Sequence, residues 1–377
     1  MSIRALIGAD VFDGITLHRS KAAVLRGDVF HGIFDLADVP EDARIIALEG
    51  GTLVPGFVDL QVNGGGGVLF NDAPSGETLD TIAAAHVSTG TRAILPTLIT
   101  DTPAQTRAAI DAVETAISRG TTGIIGLHLE GPHLSIAKKG AHDAALVREM
   151  TENDAALYCD AAHRLPNLMI TVAPESVSPR QISRLAKAGV IVSIGHTDCT
   201  SDQAKAAFDA GATCVTHLFN AMRQLGSREP GLVGAALSTP GIAAGLIADG
   251  IHVHPDTIRI ACTAASCEGL FLVTDAMATV GSDITEFRLN GRRVLRRDGR
   301  LTLEDGTLAG ADLTMPQAIR VMVEDVGLSL CAALRMATSG PATILRNPME
   351  FGDMTPGALW TGIHLSPDYI VRDPLSL

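Results

Sequence analysis

The chain has 377 residues, and its 29 Lys and Arg against 42 Asp and Glu give a formal net charge of −13. Hydrophobic residues make up 46% of the sequence, which excludes a disordered chain and supplies a large core. The negative charge and an aromatic content of 3% argue against a nucleic-acid-binding protein, which needs cations for phosphates and aromatic rings for bases.

Two kinds of pattern divide the chain. Short strand-like runs separated by Gly, Asp and Pro fill residues 1–53, and from residue 54 apolar runs alternate with Ala-rich stretches of helical period. The Gly- and Pro-rich tail from residue 350 is again strand-like, so we expect it to rejoin the first strands. The sequence therefore predicts a small β-sandwich domain of residues 1–53 plus 350–377 and a βα domain of residues 54–349.

Eight strand candidates occur in the βα region, and helical segments at 78–88, 104–118, 179–188 and 201–210 follow several of them. The eight candidates are 57–63, 92–99, 123–130, 168–174, 190–196, 214–220, 243–249 and 270–275. This count predicts a (β/α)8 TIM barrel, whose chemistry lies at the carboxyl ends of its strands. An open doubly wound sheet is the alternative, but no Gly-x-Gly-x-x-Gly motif opens a helix.

Turn motifs predict an insertion after the eighth strand. Asn290-Gly291 and Asp298-Gly299 interrupt alternating apolar residues between 286 and 308. Asn-Gly and Asp-Gly pairs favour two-residue hairpin turns. We expect β-hairpins there.

Apolar segments typical of secretion or membrane insertion do not appear in the sequence. The first residues lack the apolar stretch of a signal peptide, and no apolar run reaches the ~18 residues of a membrane helix. The six cysteines have irregular spacings without a Cys-x-x-Cys motif. We expect a cytoplasmic protein with reduced thiols and no membrane contact.

Ionisable residues stand at the ends of four strand candidates. Glu130, His196 and Asp275 end the third, fifth and eighth candidates. His217 lies within the sixth candidate. A single His or Asp is more often structural, but four at equivalent places of a barrel indicate a shared site. Two imidazoles and a carboxylate form a ligand set of catalytic zinc, and Asp275 is left as the proton carrier.

These residues and their neighbours resemble a known family. The segment Leu53-Val54-Pro55-Gly56-Phe57-Val58-Asp59 and the four strand-end residues resemble the amidohydrolase superfamily. Three motifs resemble its N-acetylglucosamine-6-phosphate deacetylase branch: His128-Leu129-Glu130-Gly131-Pro132, Thr216-His217-Leu218-Phe219-Asn220 and Asp249-Gly250-Ile251-His252.

The resemblance implies one divalent metal per chain, held by the Glu-His-His set. Most amidohydrolases carry His-x-His after the first strand, where this chain has Gln61 and Asn63. Amides are poor zinc ligands beside imidazole and carboxylate, so a second metal is not expected there, and we assign both residues to substrate binding. Zn²⁺ is the first expectation for the ion, with Fe²⁺, Co²⁺ or Mn²⁺ as alternatives.

By the same resemblance, His142 donates to the oxyanion of the reaction. Arg228, His252 and the backbone near Asn220 and Ala221 are expected to bind a substrate phosphate. In the family an Arg at this place lies near the subunit boundary, which implies a homodimer.

The implied function is hydrolysis of N-acetyl-D-glucosamine 6-phosphate to D-glucosamine 6-phosphate and acetate by a metal-activated water. N-acetylgalactosamine 6-phosphate is an alternative substrate that differs at one hydroxyl. Two competing hypotheses are a metal-dependent TIM-barrel aldolase or isomerase, which would form no acetate, and an inactive sugar-phosphate sensor. A sensor is expected to have lost the metal set or Asp275, and both are present.

Overall fold

Eight parallel strands lie side by side in one sheet, in the order of the chain. The protein is seen here in a computed structural model that describes residues 2–265, 269–347 and 351–376. The strands are β1 Phe57–Val62, β2 Thr91–Ile99, β3 Leu127–Glu130, β4 Leu168–Val172, β5 Ile191–Ile194, β6 Cys214–Val215, β7 Ala243–Leu246 and β8 Leu270–Leu272.

The sheet curves until its two edges meet. Just beyond β8, Asp275 N–H donates to the carbonyl of Gln61 at 3.0 Å, and Ala276 forms a parallel bridge with Val62. These contacts join the end of β8 to β1. The predicted TIM barrel is confirmed.

Helices follow the strands, and those that begin at Pro179 and Ser201 start at the predicted residue, whereas the helix Glu152–Arg164 was not predicted. Thr151, Ser178 and Thr200 each form a capping box, in which the side chain satisfies a free N–H of the first turn. The helices are Gly76–Ser88, Pro103–Ser118, Glu152–Arg164, Pro179–Lys187, Ser201–Asp209, Gly231–Ser238, Pro255–Ala264, Met315–Glu324, Leu330–Ala337 and Ser339–Ala342, with 3₁₀ turns at Leu36–Asp38 and Ile136–Lys138. Among the residues that the structure describes, no helix is long and apolar enough to cross a membrane.

Several barrel strands end earlier than the apolar runs suggested. The sixth candidate was expected to reach residue 220, whereas β6 ends at Val215. The backbone beyond it takes positive φ values of 28° at His217, 78° at Phe219 and 48° at Ala221. A left-handed backbone cannot continue a strand, so the polar strand-end residues lie on turns at the barrel mouth.

Both ends of the chain build a small β domain of two sheets. One has the order Val29–Asp35, Lys21–Arg26, Ile3–Ile7, Arg44–Ala47; the other has the order Val371–Arg372, Ile363–Leu365, Thr52–Val54, Asp10–Phe12, Leu17–His18. Leu6 and Leu25 of the first sheet share a core with Val11 and Leu53 of the second. The tail rejoins the first strands as expected, while the predicted boundary between 349 and 350 lies outside the described residues.

The predicted insertion is a three-stranded antiparallel sheet of Glu286–Leu289, Arg292–Arg297 and Arg300–Leu303. Its turns have positive φ values at Asn290, Gly291, Asp298 and Gly299, as the primed hairpin turns require. The inward side chains of the insertion pack with Ile99, which ends β2, and with Met277, which lies in the segment after β8. These side chains are Leu289, Val294, Leu301 and Leu303. The insertion therefore covers part of the barrel mouth. A further short hairpin joins Gly64–Gly65 to Val68–Leu69.

Candidate active site

A pocket of about 380 Å³ opens at the carboxyl ends of the barrel strands. Nine of the eleven predicted site residues line it: Asn63, Glu130, His142, His196, His217, Asn220, Ala221, His252 and Asp275. Gln61 and Arg228 are not among its lining residues. The insertion contributes Leu289 to the wall, and Thr307 and Leu308 follow it in the chain.

Strained turns aim three of these side chains into the pocket. His196, His217 and Asp275 have φ values of 48°, 28° and 50°. A non-glycine residue in the left-handed region costs on the order of 1 to 3 kcal/mol and persists only where the surrounding structure holds it. Such turns are typical of functional sites, because they place a side chain where a regular strand could not.

Three ligand atoms meet at the centre of the pocket. Glu130 Oε1 lies 3.1 Å from His196 Nε2 and 2.9 Å from His217 Nε2, and the two Nε2 atoms are 3.0 Å apart. A tetrahedral zinc with bonds of about 2.1 Å holds its ligand atoms roughly 3.4 Å apart, so the triangle is close to the size that an ion requires.

The tautomer of His196 also suits a metal. Its Nδ1 lies 2.9 Å from the carbonyl of Lys138, which can only accept a hydrogen bond. The ring proton is therefore on Nδ1, and the Nε2 lone pair points to Glu130 and His217. Two imidazole nitrogens and a carboxylate oxygen so arranged form a donor set that can hold a divalent cation.

His142 borders the same cluster. Glu130, His142 and His196 each offer a ligand atom within 4.8 Å of the others. However, His142 Nε2 is 3.9 Å from Glu130 Oε2, so it lies farther from the carboxylate than His196 and His217 do. Burial, followed by the charge of His196, lowers the pKa of His142 well below its ordinary value. The lowered pKa favours the neutral ring.

Asp275 is held by two amides of β1 and the residue that follows it. Its Oδ1 accepts from Asn63 Nδ2 at 2.6 Å and from Gln61 Nε2 at 3.1 Å, and Gln61 Nε2 is also 3.2 Å from Glu130 Oε1. Burial and then the charge of Glu130 raise the pKa of Asp275 to about 6, against the lowering effects of His217, His252 and Asn63. A carboxyl group of this kind can take up and release a proton near neutral pH.

Gln61 is 2% exposed, does not line the pocket, and links Asp275 to Glu130. Its predicted substrate contact stays a prediction. Asn63 does line the pocket, and within the described part of the chain its Oδ1 is buried without a partner. An unpaired buried acceptor costs free energy, so this oxygen is suited to a substrate donor.

At another part of the pocket wall, His252 is fixed by Asp249. Asp249 Oδ2 lies 2.6 Å from His252 Nδ1, and its Oδ1 accepts the N–H groups of Ile251 and His252 at 2.8 Å each. Asn220 and Ala221 lie in the wall that follows β6. Arg228 is exposed and does not reach the pocket of its own chain.

Asp59, which was not among the predicted site residues, ties the ends of β1 and β8 together. Its carboxylate accepts from the hydroxyl of Thr274 and from the N–H of Gln61. Complete burial raises the pKa of Asp59 to about 7. The period-two spacing of Asp59, Gln61 and Asn63, which places all three on one face of a strand, is the signal that could have revealed it.

Comparisons with known proteins agree with this geometry. Residues 52–369 match the amidohydrolase family. An N-acetylgalactosamine-6-phosphate deacetylase of Shewanella sp. (strain ANA-3) is 46% identical over 323 residues, which are 85% of this chain and 81% of the relative. An N-acetylglucosamine-6-phosphate deacetylase of Haemophilus influenzae is 34% identical over 97% of this chain and 96% of its own length.

Among solved structures, N-acetylglucosamine-6-phosphate deacetylase from Pasteurella multocida superposes with a TM-score of 0.93 at 34% identity, covering 98% of this chain and 97% of the other. Sequence and structure thus agree over nearly the whole chain. The chain belongs to the amidohydrolase family and, within it, to the group of the N-acetylglucosamine- and N-acetylgalactosamine-6-phosphate deacetylases.

Proposed function

We propose that the chain hydrolyses the acetamide of an N-acetylhexosamine 6-phosphate to acetate and the amino-sugar phosphate, with N-acetyl-D-glucosamine 6-phosphate as the first substrate. One observation carries this proposal: Glu130, His196, His217 and a separately held Asp275 converge in one pocket of a chain that belongs to this family. A ligand set that leaves a carboxylate for proton transfer is the arrangement that metal-assisted amide hydrolysis needs.

One divalent ion per chain is part of the proposal, with Glu130, His196 and His217 as its ligands. Zn²⁺ is the first choice because imidazole and carboxylate suit it, and Fe²⁺, Co²⁺ and Mn²⁺ are the alternatives. The chemistry supplied by such an ion is a lowered pKa of water and a polarised amide carbonyl. The place of a second ion is filled by the amides of Gln61 and Asn63, which already donate to carboxylates.

Asp275 moves the proton. Gln61 and Asn63 both donate to its Oδ1, which leaves Oδ2 to take the proton of the attacking water. Asp275 then gives that proton to the nitrogen of the departing amine. The two amides hold the carboxylate in place while its charge changes.

His142 stabilises the oxyanion. As a neutral, buried ring beside Glu130 and His196, it can donate one N–H to the oxygen of the tetrahedral intermediate. A donor fixed before the reaction stabilises developing charge without reorganisation.

His252 and the backbone near Asn220 and Ala221 bind the phosphate from within the chain, and Arg228 binds it from a partner chain. This assignment makes the protein a homodimer, because exposed Arg228 does not line the pocket of its own chain. Arginine is suited to the role, since its guanidinium can meet a phosphate with two parallel hydrogen bonds.

A cytoplasmic location belongs to the same proposal. Cys159, Cys199, Cys214 and Cys331 carry free thiols, which suit a reducing compartment. Cys199, which is close in sequence to His196, packs in the hydrophobic core of the barrel.

N-acetylgalactosamine 6-phosphate is the second candidate substrate. The observation that favours it is the 46% identity to an N-acetylgalactosamine-6-phosphate deacetylase. The test is release of acetate from both phosphorylated sugars by the same purified protein. We expect acetate and amine in equal amounts from at least one of them, and the ratio of kcat/KM values decides which sugar is preferred.

Absence of acetate from both sugars would overturn the deacetylase proposal. An altered sugar phosphate without acetate would identify an aldolase or isomerase. Binding of the sugar phosphate without turnover would identify a sensor.

A further inference from the structure

Thr100 contacts His142 with two different groups. It follows β2 directly and is fully buried. Its hydroxyl Oγ1 lies 2.7 Å from His142 Nδ1, and its backbone N–H points to the same nitrogen at 3.4 Å.

The backbone N–H of Thr100 disfavours a proton on Nδ1 of His142, and the hydroxyl adds to this preference. An N–H can only donate, so a proton on His142 Nδ1 would face another proton. Nδ1 is therefore the acceptor, and the hydroxyl, which can rotate, also directs its proton there. With Nδ1 accepting these contacts, the proton of the ring is left on Nε2.

Steric packing fixes the hydroxyl in this position. A Cβ added to Gly131 would lie 2.3 Å from Thr100 Oγ1, so the glycine leaves the space that the hydroxyl occupies. The carbonyl of Glu130, 3.4 Å from Oγ1, is a second acceptor for the same hydroxyl proton, and the shorter contact of 2.7 Å favours His142 Nδ1. Thr100 thus stands between the backbone of a proposed metal ligand and the ring of His142.

We propose that Thr100 is a positioning residue that holds His142 as the Nε2–H tautomer, with this N–H directed toward Glu130 and His196. Nε2 lies 3.9 Å from Glu130 Oε2, and the two imidazole rings are 4.4 Å apart. A nitrogen that carries a proton cannot bind a metal, so His142 is a donor and not a fourth ligand. The catalytic consequence rests on the proposed function, whereas the tautomer does not.

Thr100→Val tests the hydroxyl, because valine keeps the shape and removes the donor. Loss of a complete oxyanion donor costs about 10²- to 10³-fold in kcat, and here the N–H of residue 100 remains, so we expect a fall of roughly 10- to 100-fold. KM is expected to stay within about threefold, since the contact is made in the transition state. Thr100→Ser restores the hydroxyl and is expected to restore kcat to within about threefold.

The matched control is Thr106→Val, which makes the same exchange at another buried position, in the helix after β2. In the described part of the chain, its hydroxyl donates to the carbonyl of Thr102 at 3.1 Å, and Thr106 does not line the pocket. We expect its kcat to stay within about threefold of wild type, with zinc content by elemental analysis unchanged in all variants.

The tautomer itself is read by NMR of the zinc-loaded protein carrying ¹⁵N-labelled histidine, with His142→Gln used to assign the signal. Wild type and Thr100→Ser are expected to show the Nε2–H form, and Thr100→Val a mixture. A wild-type Nδ1–H signal, an unchanged kcat in Thr100→Val, or equal losses in the Ser and Val variants would overturn the proposal. If Thr100→Val does not fold, the wild-type spectrum and Thr100→Ser decide.

The tests distinguish failure of the deacetylase proposal from failure of the Thr100 proposal. A wild type that shows the Nε2–H form but releases no acetate from either sugar would reject the deacetylase function and leave the tautomer assignment standing.

Discussion

Buried His133 differs from the buried pair His196 and His217 in its hydrogen bonds, and the difference separates a structural histidine from the histidines of a site. His133 satisfies both ring nitrogens, with the carbonyl of Arg148 at 3.1 Å and the hydroxyl of Tyr158 at 3.0 Å. His196 and His217 instead turn their Nε2 atoms toward each other and toward one carboxylate oxygen. Satisfied polar groups stabilise a fold, whereas ligand atoms that converge on one point can hold a cation.

The surroundings of His133 and of the His196–His217 pair differ as well. Arg148 and Asp154 form a two-bond ion pair at 2.6 and 2.7 Å beside His133. Burial lowers the pKa of His133 to about 4, so this ring stays neutral in the folded protein. Burial alone therefore does not identify a functional histidine, whereas an unmatched set of hydrogen-bond partners does.

The largest expected effect comes from removing one of the proposed metal ligands. His196→Ala or His217→Ala removes one of three ligands, so we expect the metal content to fall from about one ion per chain to nearly none and acetate release to fall to background. Elemental analysis after dialysis measures this. His133→Gln is the control and keeps its metal; two tightly held ions in wild type, or full metal in His217→Ala, would refute the ligand assignment.

Asp275→Asn is expected to keep the metal and lose turnover. An amide of the same shape cannot move a proton, so kcat falls about 10²- to 10⁴-fold while metal content and KM change little. Steady-state kinetics with elemental analysis of the same sample measure both. Turnover within a few-fold of wild type would show that another group carries the proton.

Arg228→Ala tests the phosphate contact. A charge-assisted hydrogen bond is worth roughly 1.5 to 3 kcal/mol, so KM for the phosphorylated sugar is expected to rise about 10- to 150-fold with little change in kcat. Unphosphorylated N-acetylglucosamine is the control substrate, and its weak turnover should not change. Equal effects on both substrates would make Arg228 a structural residue.

The same variant tests whether the arginine acts in the partner's site. In a mixture of Arg228→Ala and Asp275→Asn subunits, each mixed dimer joins an intact Asp275 to an intact Arg228 across the interface. Activity with low KM should then appear that neither variant shows alone. No such activity is expected if the arginine serves its own chain.

The smallest expected effect concerns His133, whose two ring nitrogens both have hydrogen-bond partners. Because the pKa of His133 is about 4 when folded and roughly 6.5 when unfolded, the unfolded state takes up the proton first, and stability is lost as pH falls from about 6.5 to 4. His133→Gln lacks this group, so its loss of unfolding free energy from pH 7 to pH 5 should be smaller than that of wild type by about 2 kcal/mol. Urea unfolding at both pH values measures it.

Exposed His163 is the matched control, because a His163→Gln variant should keep the wild-type pH dependence. If His133→Gln also kept it, the ring would not be held neutral by the fold.

Local patterns were enough to predict the barrel and the identity of its strand-end residues. The β2 candidate at 92–99 differs from Thr91–Ile99 by one residue, and Glu130, His196, His217 and Asp275 all line the pocket. Strand ends were less predictable, because apolar side chains continue past the point where the backbone turns. Leu218 follows His217 and is fully buried, so its apolar character gave no sign that β6 had ended.

Contacts made by the backbone or across distant segments could not be predicted from local patterns. The Lys138 carbonyl that orients His196, and the Arg292 side chain that donates to the carbonyl of Ala141, depend on tertiary geometry. Thr100 and His142 are 42 positions apart in the chain. The residue types predicted which side chains gather at the pocket, and the fold determines the partners that orient them.

The most direct test of the central claim is a titration of chelator-treated protein with Zn²⁺ while acetate release from N-acetyl-D-glucosamine 6-phosphate and N-acetylgalactosamine 6-phosphate is measured. If one ion held by Glu130, His196 and His217 serves the reaction, activity rises linearly and reaches its plateau at about one ion per chain. Activity that survives full removal of the metal, or that rises until two ions are bound, would contradict the account.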